Sequence, residues 1–407
     1  MYDLAVAGAW IEFAVRWLHV ITGIAWIGSS FYFIALDLGL HRDRNLPSGA
    51  DGEEWQVHGG GFYHIQKYLV APKNMPDGLI WHKWQSYWTW ISGFILLILV
   101  YYLGAEFYLI DPTVADLTPW QAIGLSLASL AFGWIIYNTL CRVFVDADQT
   151  MLMVALFGVL VLMSYFYTSV FSGRAAMLHL GAFTATTMSA NVFMIIIPNQ
   201  KIVVDDLIAG RTPDAKYGKI AKQRSTHNNY LTLPVIFLML SNHYPLAFAT
   251  EHTWIIASLV FLMGVTIRHY FNSMHARQGN PHWTWAATTL IFIVIMWLSS
   301  GSMARDTVSE AATGPALRFA QAEGFAEVQD IVLGRCSMCH AEEPVWAGLL
   351  WAPKGVRLET EQQIARHARE IYLQSGVSHA MPPANLSYME EDERARIVAW
   401  YLAATRS

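Results

Sequence analysis

The sequence predicts an all-α protein: a bundle of eight membrane-crossing helices followed by one small soluble domain. Three observations carry that expectation. Hydrophobic residues make up 54% of the chain and charged residues only 14%, against ~45–50% and ~25% in ordinary soluble domains. Eight mostly apolar runs reach the ~20 residues that a crossing helix needs. Beyond residue 300 the composition turns polar, and a Cys-x-x-Cys-His sequence appears there.

The runs lie at about 10–36, 81–103, 120–141, 150–171, 176–198, 229–249, 252–270 and 282–300. Several end in Trp or Tyr, as interfacial anchors do. The first run is read as a retained span. It opens with no basic region and lacks a small-residue cleavage site. With a net charge of −5 and no Lys/Arg tract, nothing suggests a nucleic-acid partner. Of three cysteines, Cys141 stands alone in an apolar run and reads as an inert buried thiol.

Residues 301–326 read as a linker of small, polar and turn-forming residues, and 327–407 as the soluble domain. In Cys336-Ser-Met-Cys339-His340, two thiols at this spacing can add to the two vinyl groups of one haem, with His340 as proximal ligand. A thioredoxin-like pair would want a βαβ context, and a zinc site a second Cys/His pair; neither is present. This points to a class I cytochrome c domain with covalent haem c. Met381, in Ala380-Met381-Pro382-Pro383, is the expected sixth ligand, since a thioether raises the haem potential. His367 and His379 compete for that role, His367 reading as solvent-facing. Helices are expected at about 325–333 and 390–402.

Haem is attached to such domains on the outer face of the bacterial inner membrane. The tail is therefore expected in the periplasm and, with eight spans, so is the N-terminus. Cytoplasmic loops should concentrate Lys and Arg. Those predicted cytoplasmic hold, with their flanks, Arg42, Arg44, Lys67, Lys73, Lys83, Arg142, Lys201, Arg211, Lys216, Lys219, Lys222, Arg224, Arg268 and Arg277. The predicted periplasmic loops hold only Arg174. Both arguments give the same orientation.

Ionisable groups inside a span are costly and mark function. Glu12, Arg16 and His19 fall at i, i+4, i+7 on one helical face. An imidazole there could bind the iron of a b-type haem and Arg16 pair with its propionate. Equally, Arg16 and Glu12 could neutralise each other while His19 hydrogen-bonds a neighbouring helix. The fifth run faintly echoes the first, His179 matching His19, which makes His179 a second candidate ligand. By depth, His19, His179, His243 and His252 lie toward the periplasm and His82, His227, His269 and His282 toward the cytoplasm. One reading is a redox centre near each face, with His269 among the candidate ligands. The other is that span-end histidines such as His252 and His282 sit in the wet interface. Before the second run, the sequence around Gly59-Gly60-Gly61 alternates as a hairpin would. It carries His58, His64 and Lys67 and leads into His82, Lys83 and Gln85.

Trp17-Leu18-His19, Ala25-Trp26-Ile27-Gly28-Ser29-Ser30-Phe31, the Gly-Gly-Gly-Phe-Tyr loop, Lys83-Trp84-Gln85-Ser86-Tyr87 and Ser241-Asn242-His243-Tyr244-Pro245, with the haem motif behind them, resemble the membrane-bound urate hydroxylase (PuuD) family over the whole chain. The resemblance implies oxidation of urate to 5-hydroxyisourate, with electrons leaving through haem c. It also implies a periplasmic electron acceptor or respiratory oxidase as partner, besides membrane lipid. The first two spans also resemble a haem-b protoporphyrinogen oxidase family, in which the first-span His ligates haem. Urate oxidation needs a base for a purine N–H and donors for the anion. His58, His64, Lys67, His82, Lys83, Gln85 and His227 are the candidates for a cytoplasmic site, with a membrane haem relaying electrons. For a periplasmic site they are His19, His179 and His243. The competing readings are a pure electron carrier, a transporter fused to a redox sensor, and a haem-b oxidase acting on a porphyrinogen.

Overall fold

The computed structural model describes residues 4–43, 45–68, 78–144, 149–300, 312, 314–347, 349 and 351–406. Arg44, Lys73 and residues 301–311 and 313 of the expected linker lie outside them. Among the described residues the chain is mostly helical, with one two-stranded sheet.

Each of the eight apolar runs contains a long helical segment. These are α1 (Leu4–Gly39), α2 (Trp84–Leu96, continuing in wider turns through Leu97–Tyr102), α3 (Pro119–Val143), α4 (Gln149–Val170), α5 (Gly173–Ala190), α7 (Ala215–Ser241), α8 (Thr253–His275) and α9 (Trp283–Ser300). From α5 the helix runs on without a break through Asn191–Ile196 into α6 (Ile197–Ile208). Five helices are long and apolar enough to cross a membrane: Leu4–Gly39, Pro119–Val143, Gln149–Val170, Gly173–Ile208 and Thr253–His275. Local chemistry sets the ends. Thr118 caps α3 in a reciprocal box with Gln121, and Pro119 starts the helix, where its missing N–H costs nothing.

The largest departure from expectation is α7. It starts 14 residues before the expected 229, at Ala215. Asp214 accepts from the Lys216 N–H and caps it, and the Lys, Gln and Ala that follow are good helix formers. The helix stops at Ser241 rather than 249, because Pro245 ahead cannot continue it. α7 and α8 approach closely where the ring of Pro234 meets Gly264, which has no side chain to hold them apart.

β1 (Ala50–His58) pairs antiparallel with β2 (Gly61–Tyr68), Trp55 opposite His64 and Gly52 opposite Lys67. Gly59 and Gly60 take φ of 60° and 79° at the turn, which tight two-residue hairpins demand. The period of two puts Gly52, Glu54 and Gln56 on one face and Glu53, Trp55 and Val57 on the other.

The C-terminal residues build a second core. α10 (Leu317–Ala320), α11 (Phe325–Arg335), α12 (Ser337–His340), α13 (Glu361–Arg366), α14 (Ala368–Ile371) and α15 (Glu391–Arg406) contribute to the domain. Trp400 is buried and donates to the Phe319 carbonyl at 2.8 Å. Tyr372 stacks on Tyr401 at 4.2 Å. Ala316 and Phe319, inside the expected linker, are buried in this core, so the packed unit starts before residue 327.

This unit rests on one end of the bundle. Ala5 and Phe107 pack against its core, Tyr108 donates to the Glu370 carboxylate, and Arg366 donates to the Phe107 carbonyl. The hairpin lies at the other end of α1, where Lys67 pairs with Asp37 at 2.6 Å.

Candidate functional site

At the C-terminal motif, α12 is a single turn that carries Cys339 and His340, with Cys336 as its N-cap. His340 donates Nδ1–H to the Val356 carbonyl at 2.8 Å. That bond fixes the tautomer and leaves Nε2 as the free ligand nitrogen, as metal-bound histidines require. Met381 is partly exposed, at 36%. Buried Arg394 holds its carbonyl at 2.9 Å and that of Ser375 at 2.6 Å. These residues fit a covalently held haem. His367 is half-buried beside Glu370, rather than solvent-facing as expected; burial lowers its pKa. His379 sits at φ 53°, near Glu391.

In the bundle, Arg16 pairs with Glu12 at 2.7 Å. One turn on, His19 turns Nδ1 to the Thr89 carbonyl at 3.0 Å and to Ser92 Oγ at 3.1 Å. Its ring lies over Gly93, where a Cβ would come within 2.8 Å of the imidazole. Among the described residues Nε2 has no hydrogen-bond partner. An anchored Nδ1 with a free Nε2 is again what an iron ligand needs.

His179 differs. It has no exposure. Nδ1 bonds the Ala175 carbonyl at 2.8 Å, and Nε2 bonds Ser126 Oγ at 2.9 Å. Tyr101, Tyr167 and Phe171 enclose it. Both nitrogens are used, so this geometry makes His179 a hydrogen-bonding core residue and leaves no nitrogen for iron. His269 lies 3.5 Å from the Tyr230 hydroxyl and against Trp283.

The remaining candidates are not brought together. His58 is at the hairpin tip. His64 stacks on Trp55 and bonds Glu53 at 2.7 Å, on the face away from Glu54. His82 lies against Phe33, and Lys83 over Trp84. Gln85 sits in the first turn of α2. His227 is buried, bonded to the Tyr137 hydroxyl at 2.8 Å.

His227 belongs to a buried polar network that sequence reading did not single out. Arg224, 2% exposed, donates to the amide oxygens of Asn191 and Asn138. Arg268, 6% exposed, donates to those of Asn229 and Asn272 and lies over Phe31. Neither has a carboxylate within ion-pair distance among the described residues.

What does converge is a cavity of about 320 Å³ between the end of α1, the inner face of β1 and the end of α8. Tyr32, Gly39, Glu54, Gln56, His275 and Arg277 line it with Ala35, Leu36 and Met274. Tyr32 donates to Gln56 at 2.8 Å. Glu54 Oε2 and His275 Nδ1 are buried without a hydrogen-bond partner. The period-two pattern in β1 was the available signal for Glu54 and Gln56. His275 and Arg277 carried only a loop-charge signal. Among the described residues no group of three or more His, Cys, Asp or Glu could hold a metal ion.

A family model described as urate oxidase N-terminal matches residues 5–299, well over half of the chain. No curated protein and no solved structure matches it.

Proposed function

This chain belongs to the urate oxidase N-terminal family, and on that premise we propose that it is a membrane-embedded oxidoreductase that converts urate to 5-hydroxyisourate and passes the electrons out through haem c. The family match over the bundle, followed by a Cys-x-x-Cys-His turn with an anchored His340, is the observation that carries this reading. Urate and water give 5-hydroxyisourate, two protons and two electrons. Haem, when bound, accepts electrons one at a time. Cys336, Cys339, His340 and Met381 are the residues that would hold haem c.

In this reading the chain crosses the bacterial inner membrane eight times, with both ends and the cytochrome c domain in the periplasm. The distribution of Lys and Arg supports that orientation. Geometry then argues for an internal relay. Ala5 touches the C-terminal core, whereas Tyr32 lines the cavity. These are 27 residues apart on one helix, ~40 Å at ~1.5 Å per residue. That is too far for a single electron hop. His19 lies almost midway between them, and a b-type haem on its Nε2, with Arg16 near a propionate, would divide the path. The electrons would go on to a periplasmic acceptor or a respiratory oxidase.

Adding urate to the purified, oxidised, full-length protein without oxygen tests the proposal. The haem c spectrum should become that of the ferrous form. A spectrum that stays ferric with urate in excess overturns it.

A further inference from the structure

We propose that the cavity between α1, β1 and α8 is the site that holds the urate anion, with Glu54 and His275 as its proton acceptors and Arg277 and Gln56 as its anchors. The inference rests on the proposed urate oxidation and assigns it a place.

The cavity's volume, about 320 Å³, falls at the lower end of the ~300–1,000 Å³ that small-molecule sites occupy. Its wall is chemically unfinished. A buried polar atom without a partner costs free energy, and native structures rarely leave one without a reason. Here two belong to residues of the same cavity wall, the carboxylate oxygen Glu54 Oε2 and the ring nitrogen His275 Nδ1. A flat heterocycle with alternating N–H and C=O groups would satisfy both. Gly39 makes the room, since a Cβ there would come within 3.1 Å of Glu54 Oε2.

Charge favours an anion. The Arg277 guanidinium donates to the Gly39 carbonyl at 3.0 Å and lies against the His41 ring. Among the described residues it has no carboxylate at ion-pair distance. Further along α8, Arg268, Asn272 and His275 follow at i, i+4 and i+7, on one face. Arg268 is buried with only amide oxygens as acceptors. Among the described residues, Arg277 on the wall and Arg268 behind it outnumber the one lining carboxylate, Glu54, a balance that favours a monoanion over a cation.

The chemistry balances on these groups. A water oxygen bonds to the purine carbon C5. The urate N–H proton passes to Glu54 and the water proton to His275, so the product leaves as the 5-hydroxyisourate anion; haem, when bound, would accept the two electrons one at a time. Arg277 and Gln56 hold the ring while this happens.

The test uses the full-length protein in detergent, reading anaerobic haem c reduction against urate concentration. Calorimetric binding of xanthine, a purine without the 8-oxo group, above pH 8 where it is an anion, is the second readout. If wild-type protein is not reduced by urate, urate oxidation itself falls. If it is reduced, Glu54→Gln should lower kcat by about 10²–10⁴-fold, the usual worth of a general base, and leave xanthine binding within a factor of about two. Arg277→Ala should raise KM and weaken xanthine binding about tenfold, the loss of one charge-assisted contact. Unchanged kcat and KM in both variants, with wild-type reduction intact, overturn the site assignment and leave urate oxidation standing. Should Glu54→Gln fail to fold, His275→Gln and the xanthine titration of Arg277→Ala decide the matter.

Discussion

In the C-terminal domain the thiols of Cys336 and Cys339 and the imidazole of His340 share a single helical turn. In the bundle the cavity draws Tyr32 from α1, Glu54 and Gln56 from a hairpin, His275 from the end of α8 and Arg277 from just beyond it. The first site is mostly local: beyond that turn it needs only the Val356 carbonyl on His340 and the proposed ligand Met381. The second exists only when three elements pack. A local site tolerates change elsewhere in the fold. An assembled one depends on packing far from the reacting atoms.

Breaking the local site should have the largest effect. His340→Ala removes the proximal ligand, and urate-dependent reduction of an added acceptor should fall to background while the bundle stays folded. Acceptor reduction at more than a small fraction of the wild-type rate would detach the C-terminal domain from the electron path.

The relay position should respond to packing rather than to ligand chemistry alone. In Gly93→Ala the added Cβ would lie 2.8 Å from His19 Cε1, so the imidazole must move. A pyridine haemochrome assay should show b-type haem lost and c-type haem kept. An unchanged ratio of the two would remove His19 as a haem ligand.

Gly264→Ala is purely mechanical, because its Cβ would run into the Pro234 ring. Overpacking of this kind costs about 1–3 kcal/mol, read as a lower melting temperature in detergent. The C-terminal domain's haem spectrum should not change.

The smallest effect concerns the base of the hairpin. The Arg42 guanidinium holds the Asp51 carboxyl below the usual range. A depressed carboxyl pKa adds stability above the unfolded value of ~3.9, and that stability is lost as pH falls through the folded value. Arg42 is half exposed, so the pair contributes at most ~1 kcal/mol. Unfolding midpoints of wild type and Asp51→Asn should differ slightly above pH 5 and converge in acid.

The same contrast governs what the sequence could reveal. Long apolar runs force helices, and all eight runs contain one. The Gly59-Gly60 turn and the strand alternation also follow from local rules. Hydropathy misses the start of α7 because it does not register a polar helix such as 215–228, and it misses the stop at Ser241 because it does not weigh Pro245. His19 was legible from its span, whereas His179 looked equivalent until Ser126 and the Ala175 carbonyl were seen to occupy its nitrogens. Glu54 could not be separated from Glu53 by composition. Only the docking of β1 on α1 and α8 decides which of the two faces the cavity. Arg224 and Arg268 counted merely as loop-flanking charge, since burial without a carboxylate partner is a property of packing.

The central claim is that urate's two electrons leave through the cytochrome c domain. Its most direct measurement is stoichiometry: urate titrated anaerobically into the oxidised full-length protein with ferricyanide as terminal acceptor, following urate loss and ferricyanide reduction together. The account predicts two ferricyanide reduced for each urate consumed, and none in His340→Ala. Urate consumed at the wild-type rate in that variant would contradict it.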